Sequence, residues 1–216
     1  MALQQPDATA PLSAETAADV AHDFNNVLTV IMGSLSLAER HAAGNPKLIR
    51  LIETMRIATD RGVHLTQLLT ALSTGGLPPP APLGLPRADA PRAEAARRVL
   101  VVEDDPNVAE VAMAVLEDMG HEVMLRMDAH SALALLQGGT RVDLVFSDIV
   151  MPGGMSGIDL AEAIAVRFPA LPILLATGYS SAALAQGALR FPVLAKPYSV
   201  QELTRRVAQM MGASSL

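Results

Sequence analysis

Polar residues that could bind a charged group stand directly behind four short apolar runs in the second half of the sequence. They are three neighbouring carboxylates, a further aspartate, a threonine and a lysine: Glu103, Asp104, Asp105, Asp148, Thr177 and Lys196. Two carboxylates about 4 Å apart repel by roughly 4 kcal/mol at an effective dielectric near 20, so a cluster favours a bound cation. All candidate ligands are oxygen donors, which predicts a hard ion, Mg²⁺ before Ca²⁺ or Mn²⁺. The hydroxyl and the ammonium group suit the remaining oxygens of a phosphoryl group.

Each of these residues also has a purely structural interpretation. An acidic residue at a strand end often caps the following helix, and a Lys-Pro pair often only turns the chain. What favours a site is that all of them follow predicted strands, and the carboxyl ends of parallel strands meet at one edge of a sheet.

The elements that would position these residues alternate between apolar runs and helical stretches. The runs are residues 99–102, 122–127, 143–147, 173–177 and 192–195, and helical character follows in stretches such as 107–119 and 201–211. Five such units predict a parallel sheet covered by helices on both faces.

Over residues 98–212 the sequence resembles the receiver domain of two-component signalling. The resemblance rests on four motifs in order: VLVVEDDP at 99–106, DIVMP at 148–152, ATG at 176–178 and AKP at 195–197. It implies a flavodoxin-like, doubly wound (βα)5 fold that carries a phosphoryl group on Asp148. It also implies Mg²⁺ held by Glu103, Asp104, Asp148 and the backbone carbonyl of Val150, with Thr177 and Lys196 contacting the phosphoryl oxygens.

One position departs from the receiver pattern. The family commonly has an aromatic residue three positions before the lysine, and here that position is Val193. The nearest aromatic residues are Tyr179 and Tyr198. Readout of a phosphorylated state would therefore need a different side chain.

The N-terminal part of the chain has the pattern of a helical hairpin. A proline-free stretch that begins at the suitable N-cap Ser13 predicts a helix over residues 13–43, which Gly44-Asn45-Pro46 ends. A second apolar period predicts the other arm, with the members Leu48, Ile52, Met55, Leu65, Leu69 and Leu72. Because two helices cannot bury their apolar stripes alone, we expect a four-helix bundle formed by a homodimer. The alternative is packing against the chain's own C-terminal domain.

His22 is the residue of this hairpin best suited to chemistry. At about 100° per residue it lies opposite an apolar stripe and is predicted to face water. The stripe consists of Val20, Phe24, Val27, Ile31, Leu35 and Ala38. A neutral imidazole in that position can act as a nitrogen nucleophile toward phosphorus. The alternative is an ordinary solvated polar face.

Residues 14–74 also resemble a known family, the dimerisation and histidine-phosphotransfer (HisKA-like) hairpin of hybrid histidine kinases. AHDFNNVLT at 21–29 corresponds to its histidine box. The resemblance implies that His22 accepts the phosphoryl group, that Asp23 assists transfer, and that Asn26 is linked to dephosphorylation of a partner receiver.

Only 23 residues separate Thr74 from Arg98, too few for an ATP-binding domain of roughly 100 residues. We therefore expect no ATP-dependent kinase activity, and at most His/Asp phosphotransfer.

These patterns divide the chain into four predicted segments. They are a flexible N-terminus (1–12), the hairpin (13–74), a proline-rich linker (75–97) and the receiver domain (98–212). A formal net charge of −6 argues against nucleic acid as a partner, and the absence of cysteine excludes disulfides and zinc–thiolate sites. With no export signal or long apolar segment, we expect a cytoplasmic protein without a membrane partner.

Three functions fit these residues. The leading hypothesis is a phosphorelay protein that carries phosphoryl groups on Asp148 and His22. It would exchange them with a partner histidine kinase or a response regulator receiver. A second hypothesis is a regulatory binding module, in which phosphorylation of Asp148 controls how the hairpin docks on its partner. A third is a phosphatase that acts on a foreign receiver through Asn26.

Overall fold

The computed structural model of the chain describes residues 14–42, 44–74, 96–178 and 190–213. In chain order the elements are α1 (Ala14–His41), α2 (Pro46–Thr74), β1 (Arg98–Val102), α3 (Pro106–Asp118), β2 (Glu122–Arg126), α4 (Ala129–Gln137), β3 (Leu144–Asp148), α5 (Gly157–Arg167), β4 (Ile173–Thr177), β5 (Val193–Ala195) and α6 (Val200–Ala213). The predicted N-terminus, and all of the predicted linker except its last two residues, lie outside the described residues. Within the described residues, no helix combines the length and apolar character that a bilayer span requires.

The five described strands form one parallel sheet with the order β2-β1-β3-β4-β5. Each predicted apolar run matches a strand to within one residue at either end. Strands β1, β3 and β4 are buried almost throughout, as expected for strands covered on both faces. One core, on the side of α3 and α6, contains Val101, Phe146 and Leu203. The other, on the side of α4 and α5, contains Leu100, Leu160 and Ile164. The predicted doubly wound architecture with five parallel strands is therefore confirmed, and most of the segment between β4 and β5 lies outside the described residues.

Local sequence fixes where the sheet's helices begin. Asp105 caps α3 by accepting hydrogen bonds from the backbone N–H groups of Asn107 and Val108. Ser156 and Asp159 form a reciprocal capping box at the start of α5. Gly157 follows this cap, and a Cβ at that position would overlap the backbone carbonyl of Asp148. A glycine at the start of α5 thus lets the loop after β3 fold back on the strand end.

The N-terminal helices α1 and α2 pack side by side, and we refer to the two together as the hairpin. Positive-φ Gly44 lies in the turn between them, and Asn45 accepts a hydrogen bond from the backbone N–H of Leu48. The apolar side chains buried in the hairpin are Ala21, Leu28, Leu35, Ala42, Ile52 and Val63. Most of the predicted stripe is not among them, because Val20, Phe24, Val27 and Ile31 are 39–54% exposed. We call these four residues the open face of α1.

Helix α1 also packs against the C-terminal domain, chiefly on α3. The Arg40 guanidinium pairs with the Asp118 carboxylate at the end of α3. Further along, buried Gly33 lies against the side chain of Val111. The alternative expectation, packing against the chain's own C-terminal domain, is what the structure shows. The contact uses the polar side of α1 and leaves the open face uncovered.

Candidate functional site

The predicted acidic residues meet at the carboxyl ends of β1 and β3, which are neighbours in the sheet. Glu103 and Asp104 directly follow β1, and Asp148 is the last residue of β3. One carboxylate oxygen from each of the three lies within 4.8 Å of the others. Asp105, by contrast, turns its carboxylate to the start of α3 as a helix cap. The structural interpretation is therefore right for Asp105, and the cluster consists of the other three.

Lys196 provides the positive charge of this cluster. It follows β5, and its Nζ donates hydrogen bonds to Asp148 Oδ2 at 2.6 Å and to Glu103 Oε2 at 2.8 Å. Its side chain is completely buried. Burial by itself would lower the pKa of this ammonium group, but the two carboxylates together outweigh it and raise the pKa above its ordinary value. Lys196 therefore stays charged and ties the ends of three strands together.

The loop after β3 holds the Asp148 carboxylate in place. Asp148 Oδ1 accepts hydrogen bonds from the backbone N–H groups of Ile149, at 2.6 Å, and Val150, at 3.3 Å. Asp148 is only 1% exposed, whereas Val150 at the rim is 39% exposed. Backbone donors on one oxygen and an ammonium on the other fix the orientation of the carboxylate.

The cluster carries more negative charge than Lys196 neutralises. Glu103 Oε1 is buried and has no hydrogen-bond partner among the described residues. Burial raises the pKa of Glu103 to about 7, opposed by Lys196 and reinforced by Asp148. Burial likewise raises the pKa of Asp104, and Asp148 adds to the effect. Three carboxylates facing one ammonium, with an unpartnered buried oxygen among them, fit a small divalent cation such as Mg²⁺.

Thr177 and Tyr198 complete the wall of the pocket on the side of β4 and β5. Thr177 ends β4, is fully buried, and accepts a backbone hydrogen bond from Lys196 N at 2.6 Å. The Tyr198 ring packs edge-on against Phe146, with centroids 5.8 Å apart. Burial, together with Glu103 and Asp148, raises the pKa of its hydroxyl well above the ordinary value. Tyr198 therefore lies beside the acidic cluster, and Tyr179 lies outside the described residues.

The part of α1 that contains His22, Asn25 and Asn26 lies over the mouth of this pocket. Asn26 Oδ1 accepts a hydrogen bond from Lys196 Nζ at 3.3 Å, and Asn25 Nδ2 donates to the carbonyl oxygen of Gly178 at 2.8 Å. His22 lies against Gly178, since a Cβ at Gly178 would be 3.2 Å from His22 Cδ2. The motifs of the two halves of the chain therefore meet at one place.

The prediction that His22 faces water is wrong. Its side chain is only 16% exposed, because the polar side of α1 packs on the C-terminal domain. His22 Nδ1 is 3.6 Å from Asp23 Oδ1, so the acidic neighbour is within reach, although Asp23 itself is 84% exposed. The helical periodicity placed His22 correctly opposite the apolar stripe. What it could not show is that a second domain covers that side.

Sequence reasoning did not single out Asn25 or Gly33. Asn25 belongs to the histidine box, but its partner is a backbone carbonyl 153 residues away, which no local pattern reveals. Gly33 had a usable signal, because a glycine inside a long helix usually has a packing reason.

Comparison with known proteins agrees with this geometry. The family model for the response regulator receiver domain matches residues 99–208. The response regulator protein FleR of Pseudomonas aeruginosa is 38% identical over 119 residues, which are 53% of this chain and 24% of FleR. The response regulator receiver protein CpdR of Brucella abortus is 31% identical over 121 residues, or 55% of this chain and 99% of CpdR.

A solved structure shows the same fold. The signal receiver domain of an HD domain-containing protein from Pseudomonas fluorescens Pf-5 matches with a TM-score of 0.52 and 26% identity, covering 56% of this chain and 98% of that chain. The chain spans about a quarter of the length of FleR and nearly all of CpdR. These matches cover about half of the chain, and the family model itself lies entirely within the C-terminal domain. Through residues 99–208 the chain belongs to the response regulator receiver domain family, whose members are phosphorylated on an aspartate in two-component signalling.

Proposed function

We propose that this chain is a phosphorelay protein with Asp148 as the acceptor of its receiver domain and His22 as the acceptor of its hairpin. One observation carries the proposal. The helix that bears His22 lies over the acidic pocket of the same chain, and Asn26 contacts the pocket lysine, Lys196, directly. If His22 and Asp148 acted independently, α1 would not need to contact the pocket. Exchange of a phosphoryl group between the two residues does require α1 to lie over the pocket.

The pocket supplies positioning and charge for the exchange. Mg²⁺ held by Glu103, Asp104, Asp148 and the carbonyl of Val150 would neutralise phosphoryl oxygens. Lys196 leaves the carboxylates to bind another phosphoryl oxygen, and the Thr177 hydroxyl binds a third.

The transfer itself needs no additional group. As the P–N bond to His22 breaks, a P–O bond forms to the Asp148 carboxylate, and the imidazole keeps the electron pair. The reverse step loads His22 from Asp148. Asp23, within reach of Nδ1, holds the ring in one orientation.

The hairpin, in this proposal, is the HisKA-like dimerisation element predicted from the sequence. Support comes from the open face of α1, which exposes four apolar side chains on the side away from the receiver domain. Patches of this kind on a helix mark a partner surface, and a second hairpin provides a matching one. Docking of the receiver and formation of a four-helix dimer then use different sides of α1, so both can occur together.

A second candidate, dephosphorylation, is favoured by the position of Asn26. Its amide reaches the pocket beside Asp148, where it could orient water toward a phosphoryl group. The chain would then regulate the phosphorylation of a partner histidine kinase or receiver and would not supply that partner with a phosphoryl group. The lifetime of phosphorylated Asp148 in Asn26→Ala separates this function from the relay, since only the phosphatase requires a longer lifetime.

If the two acceptors exchange a phosphoryl group, removing Asp148 should increase the phosphorylation of His22, and removing His22 should slow the phosphorylation of Asp148. With phosphoramidate and Mg²⁺, Asp148→Asn should accumulate acid-labile phosphohistidine at His22, because its acceptor is missing. His22→Gln should label Asp148 several-fold more slowly than the wild type. Site-resolved mass spectrometry and the acid and base stability of the label distinguish the two positions.

His64→Gln is the matched control, since His64 is exposed on α2 away from the pocket. It should label as the wild type does. If His22→Gln also does so and no phosphohistidine is found in Asp148→Asn, the relay is wrong and the regulatory binding module is favoured.

Magnesium binding should depend on pH through Glu103. Its pKa of about 7 means that a proton occupies a ligand oxygen at pH 6 and is largely absent at pH 8. Since the ion must displace that proton, the apparent affinity should rise about tenfold between these pH values. Titration followed through the amide resonances of Ile149 and Val150 measures it.

Glu103→Gln should bind Mg²⁺ more weakly and with little pH dependence over this range. Glu110→Gln removes an exposed carboxylate from α3 and should change neither property. Equal affinity of the wild type at pH 6 and pH 8 would show that Glu103 is not a ligand.

A substitution in the open face of α1 tests whether the hairpin forms a dimer. Phe24→Glu places a charge where apolar side chains of two hairpins would meet, so it should convert a dimer to a monomer at micromolar concentration. Light scattering coupled to size-exclusion chromatography reports the mass. Val166→Glu is the control, because Val166 is 82% exposed on α5, far from the hairpin. A wild-type monomer, or a Phe24→Glu dimer, contradicts the proposed bundle.

A further inference from the structure

One side of α1 fits the receiver domain along several turns, and we call it the receiver-facing side. Its residues recur at helical spacing and are polar or small: His22, Asn25, Asn26, Thr29, Gly33 and Arg40. Their contacts on the receiver come from three places, namely Gly178 after β4, Lys196 after β5, and α3. The fit therefore spans the mouth of the pocket and the neighbouring helix.

In this arrangement Asp148 has almost no access from solvent. Asp148 is 1% exposed, Glu103 is 3% exposed and Lys196 is 5% exposed. Sites at the carboxyl ends of parallel strands normally open to solvent, because substrates enter there. Here Asn26 occupies that opening, in contact with the lysine at its centre. In this arrangement the imidazole of His22 is placed beside the pocket, while a phosphodonor in solution is shut out.

Gly33 is the position on which the close approach depends. A Cβ at Gly33 would overlap Cγ1 of Val111 on α3, so a larger residue requires the Val111 side chain or helix α1 to move. Glycine is the least favourable residue of a helix interior after proline, and Gly33 lies within a 28-residue helix. The contact with Val111 explains its presence.

We propose that Gly33 is a specificity-determining residue for phosphorylation of Asp148. The contact between Gly33 and Val111 lets the receiver-facing side of α1 cover the pocket. In that position Asp148 is accessible to His22 and inaccessible to small phosphodonors in solution. The inference rests on the proposed function, since it takes Asp148 as the acceptor. Loading of His22 by a partner then requires α1 to leave the receiver, and transfer to Asp148 occurs when it returns.

The test uses acetyl phosphate with Mg²⁺ as the probe on the full chain. In direct phosphorylation the P–O bond to the acetyl oxygen breaks, a P–O bond to Asp148 forms, and acetate leaves with the electron pair. Wild type should label slowly, and Gly33→Leu about tenfold faster, because the larger side chain holds α1 away. The hairpin should remain folded in this variant, since leucine favours helix, and circular dichroism checks it.

Ser34→Leu is the matched control, because Ser34 is the neighbouring residue and is exposed. It should label at the wild-type rate. A second pair tests the contact directly. Gly33→Ala should label faster than wild type, and adding Val111→Ala, which removes the overlapping methyl groups, should restore slow labelling.

The outcomes separate the inference from the proposed function. Equal rates in wild type and Gly33→Leu, with label on Asp148 in both, overturn the role of Gly33 and leave the acceptor intact. The role of Gly33 is also contradicted if Gly33→Ala labels fast and the double variant Gly33→Ala with Val111→Ala labels equally fast. If no variant labels, or a base-labile acyl phosphate persists in Asp148→Asn, the assignment of the acceptor fails and the inference fails with it.

Discussion

The buried ammonium group of Lys196 is the interaction on which the site depends. It joins the ends of β1, β3 and β5 by contacts of 2.6 and 2.8 Å to Asp148 and Glu103, and it reaches Asn26 on the hairpin. One ammonium cannot neutralise three carboxylates, so the pocket keeps an excess of negative charge that a divalent ion would balance. Burial, reinforced by Asp148, raises the pKa of Glu103, and the second carboxylate oxygen of Glu103 has no hydrogen-bond partner among the described residues.

Helix α1 links this pocket to the rest of the chain through its different sides. One side packs on α2, a second carries the open face, and the third lies on the receiver domain. The third side consists of small and polar residues, which suits a contact that forms and breaks, because little apolar surface is exposed when it opens. The open face is apolar, which suits a lasting contact with a second hairpin. In the proposed function, docking on the receiver domain and dimerisation of the hairpin would therefore use surfaces of different composition.

The receiver domain could be predicted closely because its signals are local. Apolar runs, helix caps and the four strand-end motifs each lie within a few residues, and parallel topology brings their ends together. The docking of α1 could not be predicted in this way. It depends on contacts such as Asn25 with Gly178 and Gly33 with Val111, between segments separated by a proline-rich stretch that carries no information about geometry. For the same reason His22 was expected to face water. Capping of α3 by Asp105, in contrast, is a local interaction, and it was one of the two interpretations that the sequence left open.

The most direct measurement is whether α1 occupies the receiver pocket in solution. The chain has no cysteine, so single cysteines can be placed cleanly at Ser36 on α1 and Gln201 on α6, which line one cavity of about 240 Å³. A short bis-maleimide should join Ser36→Cys to Gln201→Cys within one chain, as denaturing mass spectrometry would show. Ser36→Cys with Glu162→Cys, on the opposite face of the sheet, should not be joined. Equal cross-linking of both pairs, or none within a chain for the first, would contradict the account.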